Sequence, residues 1–291
     1  MSKPKILVQL DSDPHASTFD SVVAIDSGID HLLTHDNVTV EQVEGIVHGA
    51  MFTRGPKDLK STALFFGGSN VAKTDAMVEA AKKCFFGPMR VSVLSDPNGC
   101  NTTASAAVIC AEKHIELSGK TVTILAGTGP VGQRVAQIVA GPASEDSNPP
   151  LIRVCSRRIE KAKAICDELG QRTKGNFVPI QTQTPDQSLN AAGGADVVFA
   201  CGAAGIELLP ANWTEQPPVV AVDLNAVPPA GIAGVGVMDD GAVLDCGAIA
   251  YGAIGVGGLK MKIHKRALQM LFESNDQMLE VEEVYAIGRS L

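Results

Sequence analysis

Three glycines in the second half of the chain are spaced to suit a pyrophosphate group. Gly127, Gly129 and Gly132 form the pattern G-x-G-x-x-G. In this pattern the first glycine makes a tight turn, the second lets the backbone approach the pyrophosphate, and the third lets the next helix pack closely on the strand. Pro130 suits the first position of that helix. The candidate residues of this loop are Gly127, Thr128, Gly129, Pro130, Val131 and Gly132.

The elements around the loop are those of a dinucleotide-binding βαβ unit. A β-branched run at residues 121–126 predicts a central strand that leads into the loop, and a helix is predicted through Val139. A lone glycine pattern is weak evidence, because glycine-rich turns also occur by chance. Here the strand, the helix and a further strand at residues 151–156 are all present, so the sequence predicts a bound dinucleotide.

The end of that further strand bears on which dinucleotide binds. Ser156, Arg157 and Arg158 stand where an NAD enzyme usually offers Asp or Glu to the ribose hydroxyls. A hydroxyl and two guanidinium groups remove that negative charge and supply charge-assisted donors for a 2′-phosphate. The sequence therefore favours NADP, with NAD left open as a weaker second cofactor. The alternative is that one arginine solvates the helix start and pairs with Glu160.

Turns after two later predicted strands should flank the nicotinamide end of the cofactor. Ala203 follows one strand, and Asp223 and Asn225 stand at the end of the next. Ligands in this architecture lie outside the carboxyl ends of the strands. Gly257 belongs to a Gly/Pro-rich stretch at residues 226–258, which predicts a functional loop packed near a ligand. Asp223 could instead simply cap a loop.

Strand-like and helix-like stretches alternate almost throughout, which predicts α/β architecture with parallel sheets covered by helices on both faces. Residues 118–120 break the pattern and indicate a domain boundary, and residues 259–291 predict two helical segments that pack back on the first domain. Before the boundary we predict strands at residues 5–10, 62–66 and 90–94 and helices at residues 17–27, 40–50, 71–85 and 102–115. After it we predict strands at residues 121–126, 151–156, 176–181, 196–201 and 219–223, with helices that begin near residues 130, 158 and 185.

Composition excludes several classes of partner. The formal net charge is −8 and the basic residues are scattered, so nucleic acid would be repelled. The seven cysteines are an odd number without a C-x-x-C pair, which indicates reduced thiols of a cytoplasmic protein. No signal region or bilayer-spanning run is present, so we expect no membrane partner. We also expect no metal, because four histidines lack ligand spacing: His31, His35, His48 and His114.

Three longer motifs, taken together, suggest a family. They are the glycine loop at residues 127–132, D-P-N-G-C-N-T-T-A at residues 96–104, and G-A-I-G-V-G-G-L-K-M-K-I-H at residues 252–264. Shorter stretches at residues 19–20, 53–55 and 271–274 extend the similarity over nearly the whole chain. In these stretches the chain resembles the bacterial NAD(P)-dependent methylene-tetrahydromethanopterin dehydrogenase family.

The resemblance implies two domains with an active-site cleft between them. Residues 1–117 and 260–291 would form an α/β pterin-binding (substrate) domain, and residues 118–259 a Rossmann-type NADP-binding domain. The implied reaction is reversible hydride transfer from methylene-tetrahydromethanopterin to NADP, giving methenyl-tetrahydromethanopterin, in the oxidation of formaldehyde-derived one-carbon units. A tetrahydromethanopterin-type carrier and a homo-oligomeric state are also implied. The family-like Gly-Arg-Lys after the second NADP-domain strand appears here as Ser156-Arg157-Arg158, which keeps its basic character.

The chemistry of such a carrier sets what the protein must supply. The reacting carbon lies between two nitrogens, whose lone pairs stabilise the cation left when hydride departs. The reaction needs no metal, and we assign no general acid or base. The protein's contribution is to hold the two reactants together in a dry site. We expect this positioning from Asp20, Asn98, Thr102 and Lys260.

One group of candidate substrate-binding residues follows the first predicted strand. Asp11, Asp13, His15 and Asp20 lie where a loop at the carboxyl edge of the sheet would face a ligand. A carboxylate there could bind N–H donors of the pterin or stabilise positive charge. The alternative is helix capping by Asp13 or Ser17.

A second group opens the helix after the third predicted strand. Asn98, Asn101, Thr102 and Thr103 would hydrogen bond to substrate, with simple N-capping by Asn101 as the alternative. Lys260 could reach either ligand. A cation beside a developing positive charge is unfavourable, so we assign Lys260 to substrate positioning, against the alternative of a surface lysine at a helix start.

Two other functions compete with this interpretation. A methylene-tetrahydrofolate dehydrogenase would use the same hydride chemistry on a different carrier. The Tyr-x-x-x-Lys element of bifunctional folate enzymes is absent, since Tyr251 and Tyr285 are the only tyrosines, so cyclohydrolase activity is not expected. A non-catalytic NADP-binding redox sensor would need the glycine loop but not the polar residues of the first half.

Overall fold

The computed structural model describes residues 3–141, 148–173 and 175–291. The chain forms two compact units, Met1–Thr102 with Met261–Leu291 and Thr103–Lys260. The boundary expected from the sequence lies later, after residue 117. Assignment of the carrier to one unit and of the cofactor to the other stays a prediction.

The helices and strands alternate as the α/β prediction requires. The first part of the chain contains β1 (Ile6–Asp11), α1 (Thr18–Asp26), β2 (His31–His35), α2 (Val40–Phe52), β3 (Thr62–Gly67), α3 (Val71–Lys83), β4 (Ser92–Ser95) and α4 (Cys100–Glu112). The second part contains β5 (Thr121–Leu125), α5 (Pro130–Ala140), β6 (Leu151–Ser156), α6 (Ile159–Arg172), β7 (Asn176–Gln181), α7 (Pro185–Ala192), β8 (Val197–Ala200), β9 (Val220–Asp223), β10 (Asp240–Val243) and β11 (Ile249–Tyr251). The last elements are α8 (Ala253–Met270), β12 (Met278–Leu279) and α9 (Val281–Arg289).

The first unit contains a five-stranded sheet in the order β12-β4-β3-β1-β2. All its described pairings are parallel. The strand β1 is almost entirely buried, as its apolar run predicts for a parallel strand covered on both faces. The carboxyl ends of β1, β3 and β4 lie at one edge of the sheet, so the loops after these strands emerge together.

The second unit contains a seven-stranded sheet in the order β10-β11-β9-β8-β5-β6-β7. Its strands pair in parallel except for the antiparallel pair β10–β11. The central strand β5 has β8 on one side and β6 on the other. The turn after β5 therefore lies between the turns after its two neighbours.

Each unit has its own apolar core. In the first, α2 and α3 pack on the sheet through a buried cluster that includes Val43, Val47, Met51, Leu64, Phe66, Met77 and Val78. In the second, Leu125, Val198, Leu209, Trp213, Ala221 and Ile232 belong to one cluster. The indole N–H of Trp213 donates to the carbonyl oxygen of Ala233 at 2.8 Å, so this buried polar group is satisfied. All seven cysteines are free thiols.

The prediction of a single long loop at residues 226–258 is wrong. That stretch contains the hairpin of β10 and β11, and α8 begins at Ala253. A Cβ on Gly252 would overlap the carbonyl oxygen of Gly236, and one on Gly255 would overlap that of Asp239. These glycines therefore serve close packing of a helix rather than the freedom of a loop.

Two strands were also missed. The strand β2 is an exposed edge strand, and β12 is only two residues long. In the described part of the chain, no helix has the length and apolar character needed to cross a membrane.

Candidate active site

The glycine loop after β5 is built from residues with different structural needs. A Cβ on Gly127 would lie 2.9 Å from the carbonyl oxygen of Ile124, and one on Gly132 would lie 2.6 Å from Cα of Gly127. Both glycines are therefore required by packing. A Cβ on Gly129 would meet only ordinary contacts, 3.5 Å from the carbonyl oxygen of Ala126 and 3.8 Å from that of Cys201. The described fold does not itself need glycine at position 129, which suits a position where a ligand approaches.

The backbone of this loop differs from the expectation in one detail. The tight turn was assigned to Gly127, but the residue with the left-handed backbone is Ala126, at φ 53°. Gly129 is the N-cap of α5 and Pro130 its first residue, as predicted. The N–H groups of Val131 and Gly132 lie in the first turn, where a helix has no acceptor of its own, and such groups bind phosphate oxygens.

The end of β6 lies beside this loop. The Oγ1 of Thr128 is 3.4 Å from Oγ of the buried Ser156, and Ser156 Oγ also accepts the backbone N–H of Arg158 at 3.3 Å. Arg157 and Arg158 are exposed. Arg158 is the N-cap of α6, as the alternative for this arginine requires, but within the described residues it forms no ion pair with Glu160.

The carboxylate of Asp223 holds the loop after β9. It is buried and accepts the backbone N–H groups of Asn225 and Ile232, each at 3.0 Å. Burial raises the pKa of this carboxyl, and the backbone hydrogen bonds from Ile232, Asn225 and Gly231 oppose the rise. These hydrogen bonds match the loop-capping alternative. Contact of Asp223 with a cofactor stays a prediction.

The other residues expected at the nicotinamide end differ in exposure. Asn225 is buried: its Oδ1 accepts the N–H groups of Gly205 and Val227, and its Nδ2 donates to Pro229 O at 2.8 Å. Ala203 is exposed in the turn after β8. Gly257 lies in α8, and a Cβ there would meet nothing within 4 Å.

In the first unit, the loop after β1 is held by its own carboxylates. Asp11 is buried and accepts the backbone N–H groups of Asp13 at 2.9 Å and of Ser17 at 3.0 Å. Asp13 accepts the backbone N–H and the hydroxyl of Ser69, in the loop after β3. His15 is exposed. Ser17 is the N-cap of α1, which is the alternative that the sequence left open.

The loop before α4 is organised by a residue that the candidate set omitted. Asp96 is fully buried and accepts the backbone N–H groups of Asn101 and Thr102 at 2.9 and 3.1 Å, and the hydroxyl of Thr102 at 2.6 Å. The cap is therefore Asp96 and not Asn101. An Asp directly before Pro97, at the end of a strand, was the sequence signal for this role.

The neighbouring candidates divide into buried and exposed side chains. Asn101 is buried and donates to the carbonyl oxygen of Ser95 at 2.7 Å, and Thr102 is fully buried. Thr103 is half-buried. Asn98 is exposed and has a left-handed backbone, with φ 52° and ψ 25°. Asn98 is thus the residue of this group whose side chain most readily reaches a ligand.

Two further candidates lie on α1 and α8. Asp20 is in the first turn of α1, with a side chain 9% exposed, and Lys260 is half-buried on α8. His264, also on α8, is fully buried, and its Nε2 lies 3.9 Å from Oδ1 of Asp20. No role for His264 was predictable from the sequence, because a lone histidine on a helix shows no spacing that indicates a partner.

The buried thiols do not supply a nucleophile. Burial raises the pKa of Cys110 to about 11 and that of Cys155 to about 12. Burial also raises the pKa of Cys201, in the turn after β8. These thiols stay protonated at neutral pH, and only the thiolate is a good nucleophile.

A parallel sheet with this glycine loop at the carboxyl end of its central strand defines a Rossmann-type dinucleotide-binding protein. Solved structures agree with this fold. The chain is similar to shikimate 5-dehydrogenase from Listeria monocytogenes, solved with shikimate and NAD, at 12% identity and TM-score 0.55, covering 98% of this chain and 96% of that one. It is also similar to 5-ketofructose reductase of Gluconobacter sp. strain CHM43, at 12% identity and TM-score 0.51, covering 99% of both chains. The predicted fold class is confirmed.

Sequence relatives define the family. Residues 18–98 match the model of the methylene-tetrahydromethanopterin dehydrogenase N-terminal domain. Two proteins of Methylorubrum extorquens are similar over almost their full length. The bifunctional protein MdtA is 41% identical over 100% of both chains, and an NAD(P)-dependent methylenetetrahydromethanopterin dehydrogenase is 31% identical over 97% of both. The chain belongs to the methylenetetrahydromethanopterin dehydrogenase family, as the resemblance implied.

Proposed function

We propose that the protein catalyses reversible hydride transfer from methylene-tetrahydromethanopterin to NADP, giving methenyl-tetrahydromethanopterin in the oxidation of one-carbon units. The observation that carries the proposal is the glycine loop, where packing requires two of the three glycines but not Gly129. A dinucleotide accounts for the third. Membership of the dehydrogenase family supports the carrier and the reaction.

The residues after β6 favour NADP within this proposal. The exposed Arg157 and Arg158 offer guanidinium donors, and the hydroxyls of Thr128 and Ser156 lie together beside the loop. A 2′-phosphate has two negative charges to place, and charge-assisted hydrogen bonds are the strong ones. NAD lacks that phosphate, so it would bind more weakly. The bound nicotinamide would accept the hydride.

For the carrier, the proposed residues have two kinds of task. Asp13, His15, Asp20, Asn98, Thr103 and Lys260 contact the carrier in this proposal. The side chains of Asp11, Asn101 and Thr102 form hydrogen bonds within the loops after β1 and β4, and they act by holding those loops in one conformation. Similarly, Asp223 and Asn225 shape the turns after β8 and β9, and in this proposal Ala203 and Gly257 contact the cofactor.

The proposed hydride transfer requires no general acid or base. The two nitrogens beside the reacting carbon stabilise the cation, so no residue has to move a proton during hydride transfer. The chain's contribution is orientation and exclusion of water. We include in the proposal a cytoplasmic, homo-oligomeric protein, as the family resemblance implies. Size-exclusion chromatography with light scattering measures the subunit number.

Turnover with purified protein tests the function. Methylene-tetrahydromethanopterin and methylene-tetrahydrofolate are each assayed with NADP and with NAD. We expect the highest kcat/KM for the tetrahydromethanopterin carrier with NADP. A preference for the folate carrier would contradict the proposed substrate. NADP binding without turnover of either carrier would instead identify a redox sensor.

The isolated hydride step gives a second test. With the carrier deuterated at its methylene carbon, single-turnover rates should show a primary isotope effect and vary little across neutral pH. A bell-shaped pH profile of that step would reveal an essential titrating residue and contradict a mechanism based on positioning.

A further inference from the structure

Asp20 and His264 bring two ionisable side chains together inside the first unit. The side chain of Asp20 is 9% exposed and that of His264 is fully buried, although the residues are far apart in sequence. Oδ1 of Asp20 lies 3.9 Å from Nε2 of His264, within the range of an ion pair. Burying such groups is costly unless they compensate each other. Their proximity therefore needs an explanation beyond filling of the core.

Two aromatic rings lie close to the histidine, and one of them stacks on it. The imidazole stacks on Phe65, with ring centroids 5.9 Å apart and an interplanar angle of 21°. Phe65 is itself buried in the middle of β3, and the ring centroid of Phe19 lies 6.4 Å from that of the imidazole. A ring held in this way offers its Nε2 in one direction. Because both side chains are buried, water screens the interaction between imidazole and carboxylate less than it would at the surface.

The cap of α1 fixes the backbone position of Asp20. Ser17 caps α1 and accepts the N–H of Asp20 at 3.2 Å, so Asp20 occupies a set position in the first helical turn. Nε2 of His264 lies within ion-pair distance of the Asp20 carboxylate and approaches it from inside the core. The histidine therefore acts on the orientation of that carboxylate.

We propose that His264 is a positioning residue for the carrier: it orients the carboxylate of Asp20 so that the carboxylate accepts N–H donors of the reduced pterin ring. This inference rests on the proposed function, in which Asp20 contacts the carrier. His264 does not touch the carrier. It determines how well Asp20 can do so, and it leaves the cofactor site unaffected.

Substitutions at both positions test the inference. His264→Phe keeps a ring of similar size on Phe65 but removes the ring nitrogens. We expect it to raise the KM for the carrier about tenfold or more, as for loss of one hydrogen bond between the Asp20 carboxylate and the carrier, with the KM for NADP changed less than about twofold. His264→Gln keeps a side-chain N–H donor and should recover much of the carrier affinity. It also serves as a second variant if the first does not fold.

A double-mutant cycle separates positioning from folding. Asp20→Asn should raise the KM for the carrier, and adding His264→Phe to it should have little further effect, because the histidine acts through Asp20. The matched control is His114→Phe, which removes a 2.8 Å hydrogen bond to Tyr251 elsewhere in the protein. We expect this control to leave both KM values unchanged.

The outcomes distinguish the inference from the proposed function. Equal loss for carrier and NADP in His264→Phe, or effects of the two substitutions that simply add, would show a structural role and overturn the inference. An unchanged carrier KM in Asp20→Asn would overturn it as well, while wild-type turnover would leave the proposed function intact. Absence of wild-type turnover would contradict the proposed function itself.

Discussion

Replacing Gly129 by Ala separates ligand binding from folding at the glycine loop. The backbone at Gly129, with φ −78° and ψ 169°, is open to alanine, and the new Cβ would lie 3.5 Å or more from its neighbours. Alanine allows the unfolded chain fewer conformations than glycine does, which stabilises the folded variant by about 0.4–1 kcal/mol. Alanine is a poorer N-cap than glycine, which costs a similar amount. The free energy of unfolding should therefore change by less than about 1 kcal/mol.

Cofactor affinity should respond differently. A methyl group at this position keeps the pyrophosphate from the backbone N–H groups at the start of α5. Losing one hydrogen bond to a charged group costs about 1.5–3 kcal/mol, which raises the Kd for NADP about 10- to 150-fold. Calorimetric titration measures the Kd, and urea denaturation measures the stability.

Gly132→Ala is the matched control for this experiment. Its Cβ would lie 2.6 Å from Cα of Gly127, so we expect overpacking to destabilise the fold by about 1–3 kcal/mol. If Gly129→Ala is as stable as the wild type and binds NADP with the same Kd, the loop is not the phosphate site. If both variants lose equal stability, the packing argument is wrong.

Three further predictions concern single side chains. Arg157→Ala should weaken NADP binding by about 1.5–3 kcal/mol and leave NAD binding nearly unchanged, and equal losses in calorimetric titration would contradict the 2′-phosphate assignment. Asp96→Ala removes a buried acceptor of three hydrogen bonds, so urea denaturation should show a free energy of unfolding lower by about 2–4 kcal/mol. Asp96→Asn keeps one acceptor oxygen and should lose less stability. Equal losses for the two variants would show that capping is not the cause. Burial raises the pKa of Asp223 above its ordinary value of 3.8, so the folded chain binds the carboxyl proton more tightly than the unfolded chain does. This tighter binding stabilises the fold at low pH, and the stabilisation is lost as pH rises through the raised pKa. The stability of Asp223→Asn relative to the wild type should therefore increase over that pH range, and a constant difference would refute the sign of the shift.

The sequence was most informative about the fold where local pattern and burial agree. The apolar runs of β1, β3 and β5 and the glycine loop before α5 were predicted because each is a regular local signal. The strand β2 was missed because it is an exposed edge strand without clean alternation. The start of α8 was missed because glycine disfavours helices. The close approach of residues 236–239, which the sequence does not show, explains Gly252 and Gly255 at its start.

The placement of candidate residues at strand ends was predictable from the sequence, but their hydrogen-bond partners were not. The ends of parallel strands indicated where polar side chains would gather, and Asp11 and Asp223 do lie there. The sequence could not show that both carboxylates accept hydrogen bonds from backbone N–H groups, since these bonds depend on the path of each loop. The partnership of Asp20 and His264 was equally hidden, because it joins two helices far apart along the chain.

In the proposed carrier site, the left-handed backbone of Asn98 limits which residues can replace it. Its exposed side chain stands between buried Pro97 and Gly99, while Asp96 anchors the loop independently. Substitutions at position 98 can therefore change carrier preference with little loss of fold stability. They are restricted to residues that accept φ 52°, chiefly Asn, Asp and Gly. A selection for new carrier specificity starting from this protein should recover that narrow set at position 98 and broader variation at exposed His15, which has no such backbone constraint.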